Sequence, residues 1–178
     1  MFLGGGYMEG MNLTKVSHKG WYTIGIKKLK LGNHTIKASS PEAIVDSGST
    51  LFIVDVHVLR QITHILCPIV LPNEPLLDCH EKLIGKKSLP IGQDVINRCP
   101  ILRVLVPDYL EPFTNFELSF KPSDYWLGDG KNYLLGISGG NSMILGGTVL
   151  RLLLKRPTPK SVLQDYGFTN YRNQQKSH

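Results

Sequence analysis

Residues 43–51 read Ala-Ile-Val-Asp-Ser-Gly-Ser-Thr-Leu, and they constrain the fold more tightly than any other stretch of the chain. An apolar run stops at Asp46, and Ser47, Gly48, Ser49 and Thr50 follow it. A strand that buries residues 43–45 would fix the Asp46 backbone at the end of a sheet. Gly48 permits a turn geometry that a Cβ would block. The hydroxyls beside the carboxylate can hydrogen-bond it and hold it ionised or half-protonated. That arrangement suits acid/base chemistry, although an Asp on a small-residue turn is also an ordinary Asx turn.

Other segments narrow the choice. They are Phe2-Leu3-Gly4-Gly5-Gly6; Trp21-Tyr22-Thr23-Ile24-Gly25-Ile26 with Leu29, Leu31 and Gly32; Phe116-Glu117-Leu118-Ser119-Phe120-Lys121-Pro122-Ser123-Asp124-Tyr125; and Met143-Ile144-Leu145-Gly146-Gly147-Thr148-Val149-Leu150-Arg151. Taken in this order with residues 43–51, they resemble the C-terminal lobe of the pepsin-like aspartic proteases. The resemblance implies a mainly β fold, a single lobe of the acid protease fold with one or two short helices, over residues 1–151. It implies an aspartic endopeptidase activity on peptide or protein substrates, without a cofactor. In that family's roles, Asp46 is one catalytic carboxylate and Ser47 and Ser49 orient it. Gly48 shapes the turn, Thr50 supports the loop, and Gly146 lets the backbone approach closely.

Hydrolysis of this kind needs two carboxylates that share one proton, because like charges held together cannot both ionise. The partner Asp should also stand before Thr or Ser and then Gly. Asp55, Asp78, Asp94, Asp108, Asp124, Asp129 and Asp165 are followed by Val, Cys, Val, Tyr, Tyr, Gly and Tyr, so none qualifies. Catalysis is therefore expected to need a complementary N-terminal lobe or a homodimer that brings two copies of Asp46 together. The alternatives are a catalytically inactive binding lobe and a truncated fragment.

Bulk properties bound the rest. With 178 residues, 42% of them hydrophobic and 19% charged, the chain can bury one proper core. Of its net charge of +6, most lies in residues 152–178, where Lys155, Arg156, Lys160, Arg172 and Lys176 face Asp165 alone. A near-neutral domain with a basic tail does not read as a nucleic-acid binder. No segment reaches the roughly 18 continuous apolar residues of a membrane span. Residues 1–10, with Gly4, Gly5, Gly6 and Glu9, do not read as a signal peptide, so the targeting signal of a secreted parent is expected outside this chain. The sequons Asn12-Leu13-Thr14 and Asn33-His34-Thr35 fit a secretory, vacuolar, lysosomal or extracellular setting.

Cys67, Cys79 and Cys99 allow at most one internal disulfide. A Cys79–Cys99 bridge and three unpaired thiols are both open. Their spacing matches no zinc pattern, so no metal site is expected.

Along the chain, residues 20–37 read as two strands joined at Gly32-Asn33. Asp55 is a plausible N-cap of a helix whose apolar face is Leu59, Ile62, Ile65 and Leu66, and which is expected to stop at Pro68. His57 and His64 fall off that face. Residues 67–100, broken by Pro68, Pro72, Pro75, Pro90 and Pro100, are expected to form loops and short strands. Residues 101–106 and 115–120 are strand-like, and Asp129-Gly130 marks a tight turn. Trp21 and Trp126 read as core or pocket-edge residues. Residues 152–178 depart from the family pattern and read as a divergent basic tail, the product of an alternative or misread end or of a degenerate copy. Loss of the family's last strands there would open sheet edges.

Overall fold

A computed structural model describes residues 22–85, 87–108 and 114–149 of the protein. The opening Phe2–Gly6 motif, the Asn12 sequon, Trp21, Leu150, Arg151 and the basic tail lie outside the described residues.

The alternating pattern near the start of this region makes three strands rather than the two expected: β1 (Thr23–Gly25), β2 (Lys28–Leu31) and β3 (His34–Ile36). The extra break has a simple cause. β1 pairs antiparallel with β4 (Glu42–Val45), whereas β2 pairs with β3 and with β6 (Leu102–Pro107). Between them the chain changes sheet, and the N–H groups of Ile26 and Lys27 donate to the carbonyls of Pro41 and Leu105. Apolar alternation continues across such a switch, so the pattern alone does not reveal it. The turn at Gly32-Asn33 between β2 and β3 is where the sequence puts it.

The remaining strands are β5 (Phe52–Asp55), β7 (Asn115–Phe120), β8 (Trp126–Gly128), β9 (Tyr133–Leu135), β10 (Ile137–Gly140) and β11 (Ile144–Leu145). They build a five-stranded sheet in the order β1-β4-β11-β5-β10, a four-stranded antiparallel sheet β3-β2-β6-β7, and a β8-β9 ribbon. The architecture is mainly β. Leu29, Leu31, Leu102, Val104, Val106, Leu118 and Phe120 turn inward from the four-stranded sheet. Phe52 of β5 stacks on Phe120 of β7 with ring centroids 6.4 Å apart, joining the two larger sheets through one core.

Helix α1 (Val56–Val70) buries Val58, Leu59, Ile62, Leu66 and Val70, while His57 and His64 are exposed. The Asp55 carboxylate accepts a hydrogen bond from the Val58 N–H at 2.9 Å, which makes it the N-cap. The helix does not stop at Pro68. A proline removes one backbone donor, but the helix runs on to Val70, which is buried, and the Leu71 N–H caps the Cys67 carbonyl. Among the described residues, no helix is long and apolar enough to cross a membrane.

The cap carries a pH signature. Burial raises the Asp55 pKa, but hydrogen bonds from the Val58 amide and from Ser39 outweigh it, and the net shift is downward. A depressed folded-state pKa stabilises the fold above the unfolded carboxylate range. That contribution disappears as pH falls through the folded value. Asp55→Ala is expected to cost about 1 kcal/mol at neutral pH, and the gap from the parent should shrink in acid. Urea unfolding at both pH values checks this, and a gap that is constant with pH would refute the assignment.

Residues 67–100 differ most from expectation. They contain two further helices, α2 (Leu76–Ile84) and α3 (Gln93–Arg98), instead of loops and short strands. The prolines sit at element boundaries: Pro75 precedes the first turn of α2, and Pro100 follows Cys99, which closes α3. Proline is compatible with both positions. Cys79 and Leu83, four residues apart, form the buried face of α2.

The disulfide joins Cys67 of α1 to Cys79 of α2, which corrects the expected alternatives of Cys79–Cys99 or no bridge. Packing decides the pairing. The buried faces of α1 and α2 meet, with the two Cα atoms 5.9 Å apart. Cys99 is left as a buried thiol, and burial pushes its pKa up to about 11. A Cys67→Ala/Cys79→Ala double variant is expected to lose about 3 kcal/mol of stability. Reductant should lower the melting temperature of the parent and leave the variant unchanged. A peptide map showing Cys79 bound to Cys99 would overturn the pairing.

Short segments complete the fold. Helix α4 (Pro122–Tyr125) follows β7, and the Tyr125 hydroxyl donates to the Pro100 carbonyl at 2.6 Å. Trp126 is a core residue, 2% exposed. The Asp129 carboxylate accepts from the Lys131 and Asn132 amides, which makes the tight turn between β8 and β9.

Candidate active site

Asp46 directly follows β4, at the point where the backbone leaves the five-stranded sheet. β4 is held on both sides. β1 pairs with one edge, and β11 runs parallel to the other, with Ile144 opposite Ile44 and Leu145 opposite Val45. The Asp46 N–H extends this ladder by donating to the Leu145 carbonyl at 3.2 Å. β11 is also antiparallel to β5, so it lies between the two strands that the Asp46 loop connects. A plain hairpin is thereby excluded, and residues 46–51 must cross over the end of β11.

That crossing explains Gly146, the residue after β11. A Cβ built there would lie 2.2 Å from the Leu51 carbonyl oxygen and 2.6 Å from that of Ser49. Neither atom can yield without moving the loop backbone. The Gly147 N–H donates to the Ser49 carbonyl, and the Thr148 N–H and hydroxyl both donate to the Thr50 carbonyl at 2.9 Å. Thr148 is buried, and the sequence pattern alone does not single it out. Its signal is the polar residue that ends the Gly146-Gly147-Thr148 run.

The carboxylate is half-buried, and each of its oxygens is engaged. The Ser49 hydroxyl donates to Oδ2 at 2.6 Å, and the Gly48 N–H donates to Oδ1 at 2.9 Å. Both favour the ionised form, the Ser49 bond most strongly, and they hold the Asp46 pKa below the usual carboxylate value. Among the described residues, no other carboxylate hydrogen-bonds with Asp46.

The two flanking serines, expected to act alike, are not equivalent here. Ser49 holds the carboxylate, while Ser47 is exposed and makes no hydrogen bond to it. A type of turn that brings residue i+3 back onto residue i carries residue i+1 away to solvent. Gly48 does not adopt a positive φ. Its constraint is proximity: a Cβ there would sit 3.2 Å from Asp46 Oδ1, tight against the acceptor of its own N–H. Thr50 is exposed and enters the site through its carbonyl.

The loop thus presents an ionised carboxylate, with one hydrogen bond to each oxygen and lone pairs remaining on both. Such a group can take a proton from water. No curated protein matches the chain. The family model of the eukaryotic aspartyl proteases matches residues 5–153, a span that includes β4, the Asp46 loop, β5 and the β11–Gly146 segment. With more than half of its length matched, the chain belongs to the eukaryotic aspartyl protease family.

Proposed function

We propose that this chain is one lobe of a pepsin-like endopeptidase and that Asp46 is one of the two carboxylates that hydrolyse the peptide bond. The observation that carries the reading is the Asp46 carboxylate itself, half-buried at a strand end and held ionised by Ser49 and Gly48. The second carboxyl comes from a complementary N-terminal lobe or from a second copy of the chain.

In this scheme Asp46 removes a proton from a water molecule, whose oxygen bonds to the scissile carbonyl carbon. The partner carboxyl donates its proton to the carbonyl oxygen. The tetrahedral intermediate then collapses: one of its hydroxyls returns a proton to the partner carboxylate, and the C–N bond breaks as Asp46 gives its proton to the departing amine. Donors to both oxygens of Asp46 suit it to begin as the ionised member of the pair. The apparent pKa values of an active site built this way belong to the pair. The substrate is a peptide or protein chain, and no cofactor takes part. Membership of the family, the Cys67–Cys79 bridge and the exposed Asn33 sequon support a secretory, vacuolar or lysosomal setting.

A second reading, a binding lobe without chemistry, is favoured by one observation: none of the other seven Asp residues stands before Thr or Ser and then Gly. Cleavage of a protein substrate at acidic pH separates the two. A specific activity that rises with chain concentration, and that a transition-state-analogue inhibitor of aspartic proteases suppresses, supports a self-assembled pair. Activity that appears only on adding an Asp-bearing N-terminal lobe supports complementation. A folded chain that stays inactive in both settings yet binds the inhibitor-like peptide would favour the binding lobe.

A further inference from the structure

A depression of about 430 Å³ lies where β3, α1 and α2 meet, and it shares no lining residue with the Asp46 loop. Its polar lining is His34 and Thr35 from β3, Arg60, Gln61 and His64 from α1, and His80 from α2, with no carboxylate among them. The volume is within the range of small-ligand sites. Among the described residues no group of His, Cys, Asp and Glu is placed to hold a metal ion, and the Arg60 guanidinium would repel a cation. Three imidazoles and a guanidinium converging on one hollow suit the opposite charge.

The arrangement is fixed rather than incidental. The Cys67–Cys79 bridge clamps α2 to α1, with His64 three residues before one cysteine and His80 next to the other. The two imidazoles meet edge to face, with centroids 6.3 Å apart. His80 Nε2 is buried and has no hydrogen-bond partner. An unpaired buried polar atom is costly and calls for a reason.

We propose that this hollow is a binding site for a small oxyanion, a phosphate or carboxylate group, held more tightly at acidic than at alkaline pH. Above the imidazole range the site carries one fixed charge, that of Arg60. Imidazole gains charge in acid, so the hollow becomes more positive as pH falls. Burial, and then repulsion from His64 and Arg60, hold the His80 pKa below its usual value. A histidine with a depressed folded-state pKa costs stability as pH falls through that range. A bound anion would offset this cost by pairing with the imidazolium groups through charge-assisted hydrogen bonds.

The test is a titration of the folded chain with sodium sulfate at constant ionic strength, followed by the ring resonances of His64 and His80. Sulfate keeps its charge between mildly acidic and mildly alkaline pH, so any pH dependence belongs to the protein. Saturable shifts at about pH 5.5 that weaken about tenfold at about pH 8 are expected, along with a similar loss in Arg60→Gln and in His64→Gln. Both substituted residues are exposed, so the fold should survive. Inorganic phosphate and acetate, titrated in the same way, distinguish the two sources of oxyanion, and saturable binding of either supports the site. The absence of saturable shifts at acidic pH, or equal shifts in the parent and both variants, would overturn it.

Discussion

Asp46→Asn is expected to abolish peptide hydrolysis by any assembly that relies on this chain for a carboxylate, with kcat falling on the order of 10³- to 10⁴-fold. The amide keeps an acceptor for the Gly48 N–H or the Ser49 hydroxyl, so the loop should stay in place, with a small fall in melting temperature at neutral pH that closes in acid. The acid behaviour should change in a specific direction. In the parent, the Asp46 pKa is depressed by the Ser49 hydroxyl and the Gly48 amide. Its contribution to stability is therefore present above the unfolded carboxylate range and is lost as pH falls through the folded value. The Asn variant has no such step. Measuring kcat and the pH dependence of unfolding on the same two proteins separates a chemical role from a structural one. If the Asn variant retains parental activity, the assignment of Asp46 fails.

The largest structural effect is expected from Gly146→Val. Even the first carbon of the new side chain would lie 2.2 Å from the Leu51 carbonyl oxygen, and the two further methyl groups worsen the clash. Because Ser49 and Leu51 belong to the loop, relief can come only by lifting it off β11. The Gly147 and Thr148 hydrogen bonds to the Ser49 and Thr50 carbonyls would then be strained or broken. A loss of more than about 3 kcal/mol is expected, the range of overpacking combined with broken buried hydrogen bonds. Displacing Ser49 should also free the carboxylate, so the Asp46 pKa should move back up toward its usual value. Urea unfolding and a carboxylate NMR titration read the two effects. A loss below about 1 kcal/mol with an unmoved Asp46 titration would show that the loop has more slack than its backbone contacts suggest.

These features were legible in the sequence to different degrees, and the reason is distance along the chain. The Asp46 turn, the Asp55 cap and the Gly32-Asn33 hairpin each rest on contacts within a few residues, and local patterning states them directly. Prolines conceal α2 and α3 from the pattern, since they suggest interruption whereas Pro75 and Pro100 stand just outside helix ends. The partner of Cys79 depends on how α1 packs against α2, which spacing does not encode. The unequal roles of Ser47 and Ser49 follow from the path of the turn, which their identical side chains conceal. The hollow lined by His34, His64 and His80 draws on three separate elements, so no single segment announces it.

The position of β11 between β4 and β5 also sets an order of events. Ile44 and Val45 find their partners in Ile144 and Leu145, and the Thr50 carbonyl finds its donor in Thr148, 98 residues further on. Until that late segment has been synthesised and has slid into place, β4 and β5 have a gap between them and nothing lies beneath the Asp46 loop. Contacts of such long range form slowly. During synthesis the Asp46 turn can therefore form from its own residues, but its backing by β11, Gly147 and Thr148 is among the last contacts to be made.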